Sequence, residues 1–306
     1  MDWGTSMARV VMVHGVGKQL DTAETLYAAL APALVGGVNL ALRQDPRLAG
    51  RGTPLTQDDI SCAAYGDLFR RPGARGGTPQ YEAEDVAEGL EYDLLLAWWQ
   101  EAARRDPAVL GPEDVGRGLA GYAASRPLRV ATVRRALDAL TRTRFFKSVS
   151  DAFLIAALKQ FRRYFEEPHL RATAQERVLE QLGPDTRVVV AHSLGSVVAY
   201  EALCSQQAPR TVTLVTLGSP LGIRNLTFDR LTPLPVDGVG VWPRSAEHWH
   251  NISDPGDIVA LVHELSPRFG ARLRDHHVHN GTTMHEMSAY LTAGETGAAI
   301  ALGLAG

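Results

Sequence analysis

Apolar residues fall into two rhythms along the chain. Short runs rich in β-branched residues recur between turn-forming segments: Arg9 to His14, Ile60 to Tyr65, Arg187 to Ala191, Val212 to Leu217, Trp249 to Ser253 and His277 to His279. Runs of this kind predict strands buried on both faces. Helical spacing follows several of them, over Asp21 to Leu34 after the first, Leu194 to Gln206 after the third and Glu286 to Thr292 after the last. Alternation of strand and helix predicts an α/β protein with a mostly parallel sheet flanked by helices.

Residues 67–183 break this alternation. No convincing strand is present there and several amphipathic stretches are, so the segment is expected to be a helical insertion, a cap or lid, within one domain spanning 1–306. "RRPGARGGTP", residues 70–79, is rich in Gly, Pro and Arg and reads as the flexible entry to it.

With 306 residues, 45% of them hydrophobic, the chain has enough apolar material for one substantial core. A formal net charge of −3 gives no global attraction to nucleic acid, and no nucleic-acid partner is expected. Cys62 and Cys204, the two cysteines, stand far apart without metal-ligand spacing, so free buried thiols are expected. The apolar stretch near the start, in "MDWGTSMARVVMVHG", is too short for the core of a signal peptide, and no uninterrupted apolar run long enough to cross a bilayer is read elsewhere. A cytoplasmic location is the corresponding expectation.

Chemistry enters at "VVVAHSLGSVVAYEAL", residues 188–203, where a buried strand stops on His-Ser-Leu-Gly and a helical pattern begins. A nucleophilic serine needs its oxygen held clear of the sheet with a backbone N–H beside it. A tight strand-to-helix turn does this when small residues flank the serine. Ala191 and Gly195 stand two before and two after Ser193. The helix opening at Leu194 turns its positive end toward the site, which favours developing negative charge. The ordinary alternative is a serine that merely caps the helix. A second signal is "VVMVHGVGKQ", where a strand ends in His14, Gly15, Val16 and Gly17, a turn suited to aiming N–H groups at an oxyanion. The dinucleotide fingerprint is not present, and Lys18 is followed by Gln19 where a P-loop needs Ser or Thr, so a phosphate site is not read here.

The ordered set "VHGVG", "VVVAHSLGS", "LVTLGSPLG", "NISDPGDIVAL" and "MHEMSAYL" resembles the α/β-hydrolase family, and within it the lipase-like serine esterases, over the core but not the insertion. The resemblance implies an α/β-hydrolase fold whose sheet is reduced at the N-terminal edge. It implies a triad in the order Ser193, an aspartate near 257, His285, with oxyanion donors from the N–H groups of Val16 and Leu194. His14 is then expected to shape the oxyanion turn. Asp257 in "DIVA" is preferred as the acid because the stretch resembles the acid-bearing segment of such enzymes. Asp254, before Pro255, is the alternative and also suits a turn. His285 is preferred as the base over His248, His250, His263, His276, His277 and His279, because it precedes the final helix. A metal site at His277 and His279 lacks a matching second cluster, so no metal and no cofactor are expected.

The implied function is hydrolysis of carboxylic esters through an acyl-enzyme. The alternatives are an acyltransferase or thioesterase using the same residues, or a non-catalytic binding module on the same fold. The expected partner is a small-molecule or lipid ester. Peripheral membrane contact through the insertion is one reading of "DAFLIAALKQFRRYF". There Phe153, Leu154, Leu158, Phe161 and Phe165 make an apolar stripe beside Lys147, Arg162 and Arg163. Packing of that stripe, and of Trp98 and Trp99, into a core is the other reading.

Overall fold

A computed structural model describes residues 8–48, 50, 54–70, 80–112, 126–143, 150–205 and 212–306. The glycine-rich entry at 71–79, Lys147 and the helix end read at Gln206 lie outside the described residues. The chain divides into two compact units, Met1–Arg70 with Pro168–Gly306, and Arg71–Glu167.

The first unit is built on six strands: β1 Val10–Val13, β2 Ile60–Ala63, β3 Val188–His192, β4 Val212–Leu217, β5 Ala246–Ser253 and β6 Arg274–His277. They form one sheet in the order β2-β1-β3-β4-β5-β6, and every neighbouring pair is parallel. β1, β3 and β4 are buried at every position, as expected of strands covered on both faces. Strand order reverses beside β1, which has β2 on one side and β3 on the other. Such a switch point leaves a crevice at the carboxyl ends of the strands.

Alternate side chains divide between the two faces. Val10, Met12, Val188, Val190, Val215 and Leu217 enter the core that includes α1 (Ala23–Gln44) and the two last helices of the chain. Leu214 and Trp249 belong to the opposite parity. There Trp249 meets Tyr200 and Phe269 with ring centroids 5.6 and 4.8 Å from its own pairing partners. α1 is longer than the sequence pattern implied. Pro32 and the Gly36-Gly37 pair look like breakers, yet the helix runs on to Gln44. At 22 residues it is long and apolar enough, by length and composition, to cross a membrane, which corrects the reading that no such run exists. Its buried face, Leu26, Leu30, Leu34, Gly37, Val38 and Ala41, is built into the core of the α/β unit.

The second unit holds α2 (Leu90–Arg105), α3 (Arg126–Thr141) and α4 (Asp151–Glu166). It is narrower than 67–183. The helix α5 (Pro168–Leu179), which the sequence reading included, belongs to the α/β unit, where Arg171 clamps the buried Glu201 with both ends of its guanidinium. In α4, Leu154, Leu158 and Phe161 are buried, Phe165 is half-buried and Phe153 is exposed. Lys159 and Arg162 hold the fully buried Glu91 at 3.3 and 2.6 Å, and Arg163 pairs with Glu167 at 2.7 Å. The stripe and its cations are thus largely engaged in the protein. Trp98 and Trp99 are likewise buried, with the Trp99 indole N–H donating to the Leu110 carbonyl.

Candidate functional site

Ser193 stands where β3 ends and helix α6 (Leu194–Cys204) begins, with φ 52° and ψ −130°. A non-glycine residue held there stores about 1–3 kcal/mol of backbone strain. The residue sits at the cap position of the helix but its side chain makes no capping bond, which rejects the ordinary alternative for this serine. Instead Oγ lies 3.0 Å from His285 Nε2. The His285 Nδ1 lies 2.7 Å from Asp257 Oδ2. With a carboxylate on that side, Nδ1 carries the proton and Nε2 faces the serine with its lone pair.

Asp257 is 1% exposed, yet its carboxylate is fully partnered. Oδ2 also accepts from the Tyr290 hydroxyl at 2.9 Å, and Oδ1 accepts the N–H groups of Val259 and Ala260 at 2.9 and 3.3 Å. A buried carboxylate without such donors is costly. Asp254 takes the other role weighed for it: Oδ1 accepts the Gly256 N–H and Oδ2 the Asn280 N–H. It thereby joins the loop after β5 to the loop that carries His285.

The glycine-rich turn read as a source of oxyanion donors follows β1. His14 is 1% exposed and stacks on Tyr65 with ring centroids 4.3 Å apart. The Tyr65 N–H donates to His14 Nε2 at 3.1 Å, so Nδ1 carries the proton and donates to the Gly15 carbonyl at 2.7 Å. Burial pushes the His14 pKa down to about 4, against the opposing pull of the Gly15 carbonyl. Among the described residues no acceptor takes the N–H of Val16 or of Leu194, the two groups named as oxyanion donors. Gly17 gives the turn its positive φ of 82°.

Close approach of these segments depends on missing side chains. A Cβ on Gly15 would lie 2.7 Å from the Ser193 Cβ, and one on Gly195 would lie 2.2 Å from the His14 carbonyl oxygen. Both glycines let β1 and the serine turn touch.

Of the remaining histidines, His277 lies against Ser253 and Glu264, and His250 stacks on His276 with ring centroids 5.2 Å apart. β6 ends at His277, so His279 does not share a strand face with it. Cys62 is buried and its thiol is pushed up to about 12 by burial, while Cys204 is only partly buried.

Several residues of the site escaped the sequence reading. Tyr290 bridges the Asp254 N–H and the Asp257 carboxylate. Ser196 donates to the Ser193 carbonyl at 2.6 Å and meets Ser219 Oγ at 2.7 Å. His192 is buried with its ring centroid 4.7 Å from that of His285. Burial holds its pKa well below the usual imidazole range, and among the described residues its Nε2 finds no hydrogen-bond partner. The usable signal for Tyr290 was its place on the short helix that follows the base. For His192 it was direct adjacency to the serine.

Comparison of the chain with protein-family models, with curated proteins and with solved structures gives no match. Its class is set by its own architecture: an α/β protein with a six-stranded parallel sheet. At the carboxyl ends of β3, β5 and β6 it carries a serine, an aspartate and a histidine in one hydrogen-bonded series.

Proposed function

We propose that the protein is a serine hydrolase of carboxylic esters, acting through Ser193, His285 and Asp257 on an α/β-hydrolase fold. One observation carries this reading: the series Asp257 Oδ2, His285 Nδ1, His285 Nε2 and Ser193 Oγ, with gaps of 2.7 and 3.0 Å, on a serine held at positive φ. The order Ser, Asp, His along the chain and the strained strand-to-helix turn support the fold assignment.

In the proposed reaction Ser193 Oγ attacks the ester carbonyl carbon while its proton passes to His285 Nε2. The carbonyl oxygen becomes an oxyanion, stabilised by the N–H groups of Val16 and Leu194 beside the positive end of α6. Asp257 holds the imidazole in register and stabilises the imidazolium. His285 then gives the proton to the leaving alcohol, and the acyl group stays on Ser193. Water repeats the sequence: His285 takes its proton, the hydroxide oxygen adds to the acyl carbon, and Ser193 departs with the proton. The scheme calls on no metal or organic cofactor, and the cytoplasmic location stays with the proposal.

The test is covalent labelling with a fluorophosphonate probe, which reacts with activated serines. Wild-type protein is expected to label and Ser193→Ala to stay unlabelled while folded. Equal labelling of both proteins, or none of the folded wild type, refutes the hydrolase reading.

A further inference from the structure

Asp257 is bound by a group to which the proposed chemistry gives no part. The Tyr290 hydroxyl donates to Asp257 Oδ2 at 2.9 Å, and the His285 Nδ1–H donates to the same oxygen at 2.7 Å. The other oxygen, Oδ1, is held by backbone, through the N–H groups of Val259 and Ala260. Among the described residues, the phenol is therefore the one side chain that shares the acid's oxygen with the base. Its own oxygen is fixed in turn. It accepts the Asp254 N–H at 2.9 Å, which leaves its proton directed at the carboxylate. Hydrogen bonds in such a chain polarise one another and strengthen the last donor.

Tyr290 is fully buried on the short helix Met287–Thr292 that follows His285. Burial, with the Asp257 charge beside it, holds the phenol protonated far above the usual tyrosine range, so it stays a donor when the histidine titrates. The other ionisable groups around the pair are His192, whose ring centroid is 4.7 Å from that of His285 and 6.0 Å from that of Tyr290, and Asp254, whose charge reaches the phenol. Burial favours the neutral form of His192 and of His14, and Lys18 acts on both electrostatically. Glu286, next to His285 in the chain, is exposed. Gly218, at φ 51°, leaves room for the three partners: a Cβ there would stand 2.8 Å from Asp257 Oδ2, 3.1 Å from the Tyr290 ring and 3.3 Å from His285 Nδ1. A carboxylate oxygen with two donors presents less charge to each of them. With the phenol removed, the imidazole faces the whole charge and holds its proton more tightly.

We propose that Tyr290 is a positioning residue of the site, whose hydroxyl fixes Asp257 Oδ2 against His285 and lowers the pH at which the imidazole becomes available as a base. The inference rests on the reading of Ser193, His285 and Asp257 as a catalytic series and assigns a part to a residue outside it. Tyr290 acts through the acid and not on the reacting atoms. By drawing charge from Oδ2 it disfavours the imidazolium, so that Nε2 is free to take the Ser193 proton at lower pH. A ring that merely filled the core would set stability and leave the pH profile in place.

The experiment follows, across the neutral range of pH, the rate at which a fluorophosphonate labels the full-length protein. Beside it runs an NMR titration of the His285 ring in Ser193→Ala, which needs no acyl chemistry and is assigned by the signal missing from His285→Gln. Tyr290→Phe is expected to raise both midpoints by about 0.5–1 pH unit, which is a roughly 3–10-fold loss of labelling rate on the acid side and little loss on the alkaline side. Placing meta-fluorotyrosine at position 290 keeps both hydrogen bonds with a more acidic phenol and is expected to move the midpoints the other way. That arm decides the matter even if Tyr290→Phe does not fold. Midpoints that stay in place overturn the proposal, as do midpoints that the two replacements move in the same direction. An equal loss of rate at every pH also overturns it, in favour of a ring that only packs. Should the folded wild type fail to label while the His285 titration still moves with the group at 290, the link between Tyr290 and the imidazole stands and the hydrolase reading falls.

Discussion

His14 offers the most quantitative handle on the site. Its ring is neutral because burial holds the pKa at about 4, whereas in the unfolded chain it returns to about 6.5. Between those values the unfolded state binds a proton that the folded state does not, so lowering the pH favours unfolding. The contribution is fully present above pH 6.5, falls through the interval, and is fully lost below about 4. At 1.36 kcal/mol per pH unit the span is worth about 3 kcal/mol, a large share of the stability of an ordinary domain. Protonation also destroys the acceptor at Nε2 that takes the Tyr65 N–H, and with it a support of the glycine-rich turn after β1. The perturbation is His14→Gln, whose amide donates and accepts without titrating. The assay is hydrogen exchange of the β1 and β3 amides at pH 7.5 and 4.5, which reads the α/β unit by itself. His192 and His250 are also buried and held low, and they contribute to both proteins equally. Wild type is therefore expected to lose about 2–3 kcal/mol more than the variant between the two conditions. Equal losses refute the claim that His14 is buried neutral.

Two further predictions follow from particular contacts. Asp257→Asn is expected to lower turnover by roughly 10⁴-fold by removing the carboxylate that sets the His285 tautomer, while Asp254→Asn lowers turnover far less and shows mainly as lower thermal stability. Steady-state hydrolysis of a soluble ester beside a melting curve checks both, and the reverse ranking exchanges their roles. On α1, Gly36→Ala is expected to stabilise by about 0.5–1 kcal/mol, since nothing stands within 4 Å of the new methyl group. Gly37→Ala is expected to destabilise by about 1–3 kcal/mol or more, because its Cβ would sit 2.1 Å from the Leu291 carbonyl oxygen. Urea denaturation separates the pair, and equal effects contradict the packing described for that helix.

Much of the α/β unit was legible because its strands are short, apolar and covered on both faces. Val212 to Leu217 coincides with β4, and Leu194 opens α6 as read. The departures have physical causes. β5 begins at Ala246 and β6 spans Arg274–His277, because partly exposed strands near the sheet edge carry the polar run of "AEHWH" and "RDHH" that hydrophobic pattern alone does not mark. α1 outruns Leu34 because Gly37 is used for close approach to Leu291 rather than as a stop. α5 was merged with the insertion because both are helical, and only tertiary packing, Arg171 on Glu201 among its contacts, assigns it to the sheet. At the site, the serine, acid and base each stood beside a turn signal. Tyr65 did not, since nothing local distinguishes a buried ring that supports a turn from one that fills a core, and the positions of His192 beside the serine and of Tyr290 on the helix after His285 do not by themselves assign those rings a role.

Those rings and the small residues between them explain how strain at Ser193 is sustained. A residue at φ 52° relaxes unless its neighbours fix it. Here the Ser193 N–H donates to the Leu217 carbonyl at 3.0 Å, and its carbonyl accepts both the N–H and the hydroxyl of Ser196 at 2.9 and 2.6 Å. The Ser196 hydroxyl is in turn fastened to Ser219, just beyond β4. Gly15 and Gly195 bring β1 within contact of the turn, so the backbone is enclosed from that side as well. Gly218, at φ 51°, does the same beneath the base, where a Cβ would stand 2.8 Å from Asp257 Oδ2 and 3.3 Å from His285 Nδ1. Every main-chain group of Ser193 is therefore committed to the scaffold. Its hydroxyl, bound among the described residues only to an imidazole whose other nitrogen is held by a fully partnered carboxylate, is the one group of that residue left to exchange partners, as the proposed reaction requires.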